Sequence, residues 1–183
     1  MNTNFDEVIE RRNTHSDKWD SMERVYGISP DEGIAMWVAD MDFRSPQSVS
    51  DAMQELVDGS VYTYYGDGRS YLDAICNWMD RRHDWKIDAS WILNVNGVNN
   101  GIAMAVQAYT QENDGVILFT PVYHSFATLV RANNRRIVES EMINNNGRYE
   151  LDLGALEAQL QGDEKLMIFC SPHNPGGRVW SLE

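Results

Sequence analysis

Between two prolines, in the run LMIFCSPHNPGGR at residues 166–178, stands Asn174, an amide able to donate and accept hydrogen bonds. Each proline fixes its own φ and biases the residue before it toward extended geometry. Pro172 and Pro175 therefore leave His173 and Asn174 little freedom once the apolar stretch ends. Gly176 and Gly177 then let the chain turn. This is how an amide that touches a bound group is held rigidly. The other use of such a residue is a turn asparagine that satisfies local backbone; the flanking prolines favour the first. Two further stretches join it. NGVNNGIAMA sets Gly97, Val98 and Asn99 at a predicted strand-to-helix junction, where free N–H groups and the helix dipole favour an anion. A glycine before a helix is more often only a turn. TPVYHSF, at residues 120–126, carries Tyr123 at a predicted strand end, where its ring could stack on a flat group or simply fill a core.

Other chemistries are disfavoured. The chain has neither a GxGxxG dinucleotide fingerprint nor a P-loop string. Cys76 and Cys170 show no CxxC or metal spacing and read as reduced core residues. His15, His83, His124 and His173 lack the i, i+4 pairing of a helical zinc site, so no metal is expected. The formal charge of −13 disfavours nucleic acid and anionic membrane surfaces as partners and reads as a solubility charge. With 43% hydrophobic content, six Trp and eight Tyr, a packed core is within reach. MNTNFDEVIERR has neither a basic n-region nor an apolar h-region, and no apolar run approaches a membrane span, so a cytoplasmic location is expected.

The elements that must position these residues alternate from residue 45 onward. Ser45 and Pro46 read as cap and first-turn proline of a helix carrying Val49, Met53, Leu56 and Val57 and stopped by Gly59. A second helix is predicted over 70–83, a short strand over 92–95, a helix over 100–109, and the strand VILF after Asp114-Gly115. A helix after Tyr123, a strand over 136–143, an Asn-Gly loop at Asn146, a helix capped by Asp152 and a strand over 166–170 follow. Short apolar strands separated by helices argue for an α/β fold with a parallel sheet covered on both faces. Ligands in such sheets sit beyond the carboxyl ends of the strands. Gly97 to Asn99, Tyr123 and Asn174 all fall at such ends. The first 45 residues differ, with one short helical stretch at 5–11.

Together with WVADMDF at residues 37–43, these strings resemble the pyridoxal-phosphate (PLP) enzymes of fold type I, and within them the cystathionine β-lyase branch, the MalY/PatB group bordering the class I/II aminotransferases. The resemblance runs over essentially the whole chain, from the pair Arg11 and Arg12 onward. It implies a mostly parallel sheet with helices on both faces. Residues 46–183 would be the N-terminal part of the large PLP-binding domain, and residues 1–45 an arm with part of a small domain. The cofactor's phosphate would rest on Gly97, Val98 and Asn99, the ring of Tyr123 on its pyridine face, and the amide of Asn174 on its phenolate oxygen. Tyr64, in VYTYYGDG, would reach the phosphate of the neighbouring subunit in a homodimer, or be an ordinary tyrosine in an aromatic cluster. Ala39 and Asp40 would line the substrate side. WVADMDF reads equally as a buried strand with two solvated aspartates.

The resemblance also calls for a Schiff-base lysine in a downstream serine-rich segment, an aspartate for the pyridine nitrogen and an arginine for the substrate carboxylate. Lys18, Lys86 and Lys165 lie in segments that read as surface or helix ends. No catalytic residue is therefore expected in these 183 residues, which read as the N-terminal half of a longer polypeptide. The whole protein is expected to be a C–S β-lyase that takes a small sulfur amino acid to pyruvate, ammonia and a thiol. A class I/II aminotransferase shares the early chemistry. A non-catalytic truncated or regulatory interaction protein is the reading from another class.

Overall fold

The structure, a computed structural model, describes residues 4–181. It divides into two compact units, Met1–Gly68 and Arg69–Glu183.

The first unit contains α1 (Asp17–Asp20), α2 (Met22–Tyr26) and α3 (Gln47–Gly59). The helix expected at residues 5–11 does not form. Its charges are engaged in ways a helix would prevent. Arg12 donates to Glu10 two residues away at 2.8 Å, a spacing that puts side chains on different helix faces, and Arg44 grips Glu7 at 2.9 Å. Helix α3 begins one residue later than expected, with Pro46 and not Ser45 at its N-cap and no side-chain cap. The Pro46 carbonyl instead accepts from Val49 N–H at 2.9 Å. The apolar stripe of α3, Val49, Met53, Leu56 and Val57, is exposed along its whole length.

The second unit is built on parallel pairing. Its helices are α4 (Arg69–His83), α5 (Val98–Tyr109), α6 (His124–Ala132) and α7 (Leu153–Gln159). Its strands are β1 (Gly115–Thr120), β2 (Arg136–Glu141), β3 (Ile143–Asn145), β4 (Arg148–Glu150) and β5 (Glu164–Ile168). The sheet runs β2-β1-β5, with Val116 opposite Ile137 on one side and Leu166 on the other. Gly115 through Phe119 are buried, as expected of a central strand covered on both faces. Ile117 and Phe119 form a core on one face with Val138, Met142 and Leu156 of α7, while Val116 and Leu118 point to the other. Helices α5 and α6 pack on each other and on the sheet. Asp152 caps α7 by accepting Ala155 N–H at 2.8 Å.

Three expectations for this unit need correction. Residues 92–95 form no strand: a 3-10 turn at Ala89–Trp91 precedes them, and no described strand lies alongside to complete a ladder, so Leu93 remains exposed. The strand expected over 136–143 stops at Glu141: Met142 N–H makes the last rung, to the Thr120 carbonyl at 2.8 Å, and β1 itself ends at Thr120, so nothing further is there to pair with. Residues from Ile143 then pair antiparallel with β4 around Asn146-Gly147. Cys76 and Cys170 are free but only half-buried, Cys76 on α4, which buries none of its residues, and Cys170 just after β5.

Candidate active site

Strand direction brings two of the candidate segments to one end of the sheet. Strands β1 and β5 are adjacent and parallel, so the loops after Thr120 and Ile168, which carry Tyr123 and Asn174, leave from the same edge. Helix α5, whose first residues are the third candidate segment, packs on α6 and β5 of the same unit.

That N-terminus is an open anion site in the physical sense. Gly97 is the N-cap, with φ 87° and ψ 157°, and no side chain caps the helix. Val98 and Asn99, which carry the first helical amides, are exposed residues. Tyr123 is the N-cap of α6, half-buried, its ring edge-on to His124 at 4.9 Å and Phe126 at 5.6 Å. Asn174 lies in the turn closed by the bridge between His173 and Arg178. Its side chain is exposed and bonds none of the described residues, so the amide is not spent on local backbone.

Ala39, Asp40 and Tyr64 belong to the other compact unit. The segment 37–43 is irregular and not a buried strand, and its aspartates are held by partners. Arg11 donates to both carboxyl oxygens of Asp40 at 3.0 and 2.9 Å, which keeps that carboxyl below the ordinary aspartate range. Asp42 accepts from Lys18 at 2.6 Å, Trp19 at 2.9 Å and Arg11 at 2.7 Å. Lys18, expected at the surface, is 6% exposed because Asp42 and the Asp40 carbonyl, 2.9 Å away, take its ammonium. Ala39 is exposed beside this network. Tyr64 is fully exposed on a groove with Met53, Leu56, Val57 and Tyr62.

Sequence reasoning missed two parts of this arrangement. The Lys18–Asp42 tie had only one signal, an excess of opposite charges flanking WVADMDF. His173, considered only as a constrained neighbour of Asn174, is the buried pivot of its turn. Among the described residues no group of three or more His, Cys, Asp or Glu side chains could hold a metal ion.

A family model described as aminotransferase class I and II matches residues 32–183. The chain belongs to that family. Among curated relatives it is 39% identical over 181 residues to cystathionine beta-lyase PatB of Bacillus subtilis, covering 98% of this chain and 46% of that protein. Among solved structures it matches cystalysin from Treponema denticola, which contains a pyridoxal 5'-phosphate cofactor, with TM-score 0.91 and 36% identity over 100% of this chain and 46% of that one. It also matches the PLP-bound C–S lyase from Staphylococcus hominis, with TM-score 0.86 and 31% identity over 99% and 46%. The chain spans about half the length of the relatives it matches. For this class I and II aminotransferase family member, three features of the second unit match in kind the parts of a phosphorylated aromatic group: an uncapped helix terminus for the anion, a ring for the aromatic face and an uncommitted amide.

Proposed function

We propose that the whole protein is a PLP-dependent C–S β-lyase, acting on sulfur amino acids to release pyruvate, ammonia and a thiol, as a cytoplasmic homodimer. The observation that carries the reading is the 39% identity over 181 residues to a cystathionine β-lyase, in a chain whose Tyr123 and Asn174 follow adjacent parallel strands at the same end of the sheet.

When bound, PLP supplies an electron sink for charge developing at the substrate's α-carbon. The chain's own residues do the holding. The N–H groups of Val98 and Asn99, freed by the turn at Gly97, would take the phosphate at the positive end of α5. Tyr123 would cover one face of the pyridine ring. The Asn174 side-chain N–H would donate to the phenolate oxygen. Ala39 and Asp40 would line the substrate side, with Arg11 keeping Asp40 ionised and fixed in place.

The lysines here have other work or other places. Lys18 is tied to Asp42, Lys165 donates to the Gly162 carbonyl at 3.2 Å, and Lys86 is exposed. The reading therefore assigns the amine that bears the cofactor to residues outside these 183. Tyr64 would reach the phosphate site of the neighbouring subunit, supported by its full exposure beside the bare stripe of α3.

The test is to give the whole protein L-cystathionine and measure pyruvate and protein-bound PLP. Pyruvate release with a borohydride-sensitive visible band is expected; a colourless protein with no saturable PLP binding would falsify the assignment. An aminotransferase is the second reading, favoured by the family model's own description. Keto-acid exchange without pyruvate would select it.

A further inference from the structure

We infer that His173 is a positioning residue for Asn174, acting through its Nδ1 atom; this rests on the cofactor reading above. His173 is 4% exposed. Its Nδ1 accepts Gly176 N–H at 3.2 Å, its carbonyl accepts Gly177 N–H at 2.8 Å, and its own N–H donates to the Arg178 carbonyl at 2.6 Å. Asn174 is thus enclosed in a turn whose two ends are bridged and whose middle is tied to an imidazole. A nitrogen that accepts an N–H carries no proton, so the neutral ring's proton is on Nε2.

That proton has nowhere to go. Nε2 is buried and has no hydrogen-bond partner among the described residues, a cost that an apolar side chain of similar bulk would avoid. The ring also packs edge-on against Trp180 at 5.6 Å, a contact open to other bulky side chains. What histidine adds is the acceptor. Gly176 is shaped to use it: a Cβ there would meet Nδ1 at 2.7 Å and Tyr149 Cδ2 at 3.1 Å. The far side of the turn is braced as well. Arg178 donates to the Tyr149 carbonyl and lies over the Trp180 ring at 5.0 Å, and the Trp180 indole donates to the Cys170 carbonyl at 2.9 Å. The exposed Asn174 amide is the one polar side chain of residues 173–178 that this bracing leaves uncommitted.

The experiment uses the whole protein with PLP and two readouts. The first is amide hydrogen exchange at Gly176, which needs no cofactor, with Gly177, held by the His173 backbone carbonyl, as the internal reference. The second is the pH midpoint of the visible band of bound PLP, which reports donation to the phenolate. His173→Leu should lose the protection and move the midpoint in the same direction as Asn174→Ala, and the double variant should move it no further. His173→Asn, whose Oδ1 can replace Nδ1 as acceptor, should keep both near wild type. His173→Phe, which keeps a ring but accepts nothing, carries the comparison if His173→Leu does not fold. Unchanged protection in the non-accepting variants would overturn the tie itself. Lost protection with an unmoved midpoint, or midpoint shifts that add in the double variant, would overturn the positioning role. A wild-type protein with no PLP band would instead overturn the cofactor reading, while the exchange arm still reports on the turn.

Discussion

Tyr123 and Asp42 show two ways of fixing a side chain, by packing and by charge. The Tyr123 ring is set by its edge-on contacts with His124 and Phe126, so its proposed role depends on the ring and not on the hydroxyl. In the whole protein Tyr123→Phe should retain most of the PLP affinity, and Tyr123→Ala should weaken it roughly 3- to 10-fold, as read by fluorescence titration. Asp42 is held below its ordinary value of 3.8, first by the Lys18 ammonium, then by Trp19 and Arg11. A depressed folded-state value means the unfolded chain takes up its proton first. The stabilisation is therefore complete above pH 3.8 and is lost as pH falls through the lower folded-state value. Asp42→Asn should lower stability by about 1 kcal/mol at neutral pH, discounted for the exposure of the carboxylate. In acid the gap between variant and wild type should close, as followed by denaturant midpoints. A gap that stays constant into strong acid would mean that charge is not what Lys18 recognises.

At the level of elements, the junction at Gly97 carries the sharpest expectation. A methyl there would meet no atom within 4 Å, so Gly97→Ala meets no steric block, only the strain of φ +87°, about 1–3 kcal/mol. If the loop relieves that strain by swinging the first amides of α5, inorganic phosphate and PLP should both bind more weakly by calorimetry, while the sheet stays folded. Equal binding to the variant would detach the helix terminus from the phosphate. The same contrast explains what was legible in the sequence. VILF, the Asn146-Gly147 turn and the Asp152 cap are local signals, and each produced its element. Residues 92–95, apolar at three of four positions, stayed unpaired, because a strand is a property of two segments. The Arg11, Lys18 and Asp42 cluster was illegible for a related reason: its partners are 31 and 24 residues apart, and only the folded first unit closes those distances.

On the scale of the whole molecule, the stripe of α3 and the run Val61, Tyr62, Tyr64, Tyr65 leave a broad apolar surface bare. The proposed homodimer accounts for it, and the whole protein should sediment as a dimer, whereas these 183 residues alone should bind a hydrophobic dye, release PLP on dialysis and yield no pyruvate. A monomer active at high dilution would contradict the assembly. The strand order β2-β1-β5 has a consequence in time. Strand β1 gains its first neighbour soon after it is made, but its second edge waits for Ile168, nearly fifty residues beyond Thr120. At ~5–20 residues/s of synthesis that is on the order of several seconds, during which an apolar strand shows an open edge to the crowded cell. Faster translation between β2 and β5, by recoding alone, should therefore raise the soluble yield without changing a single residue.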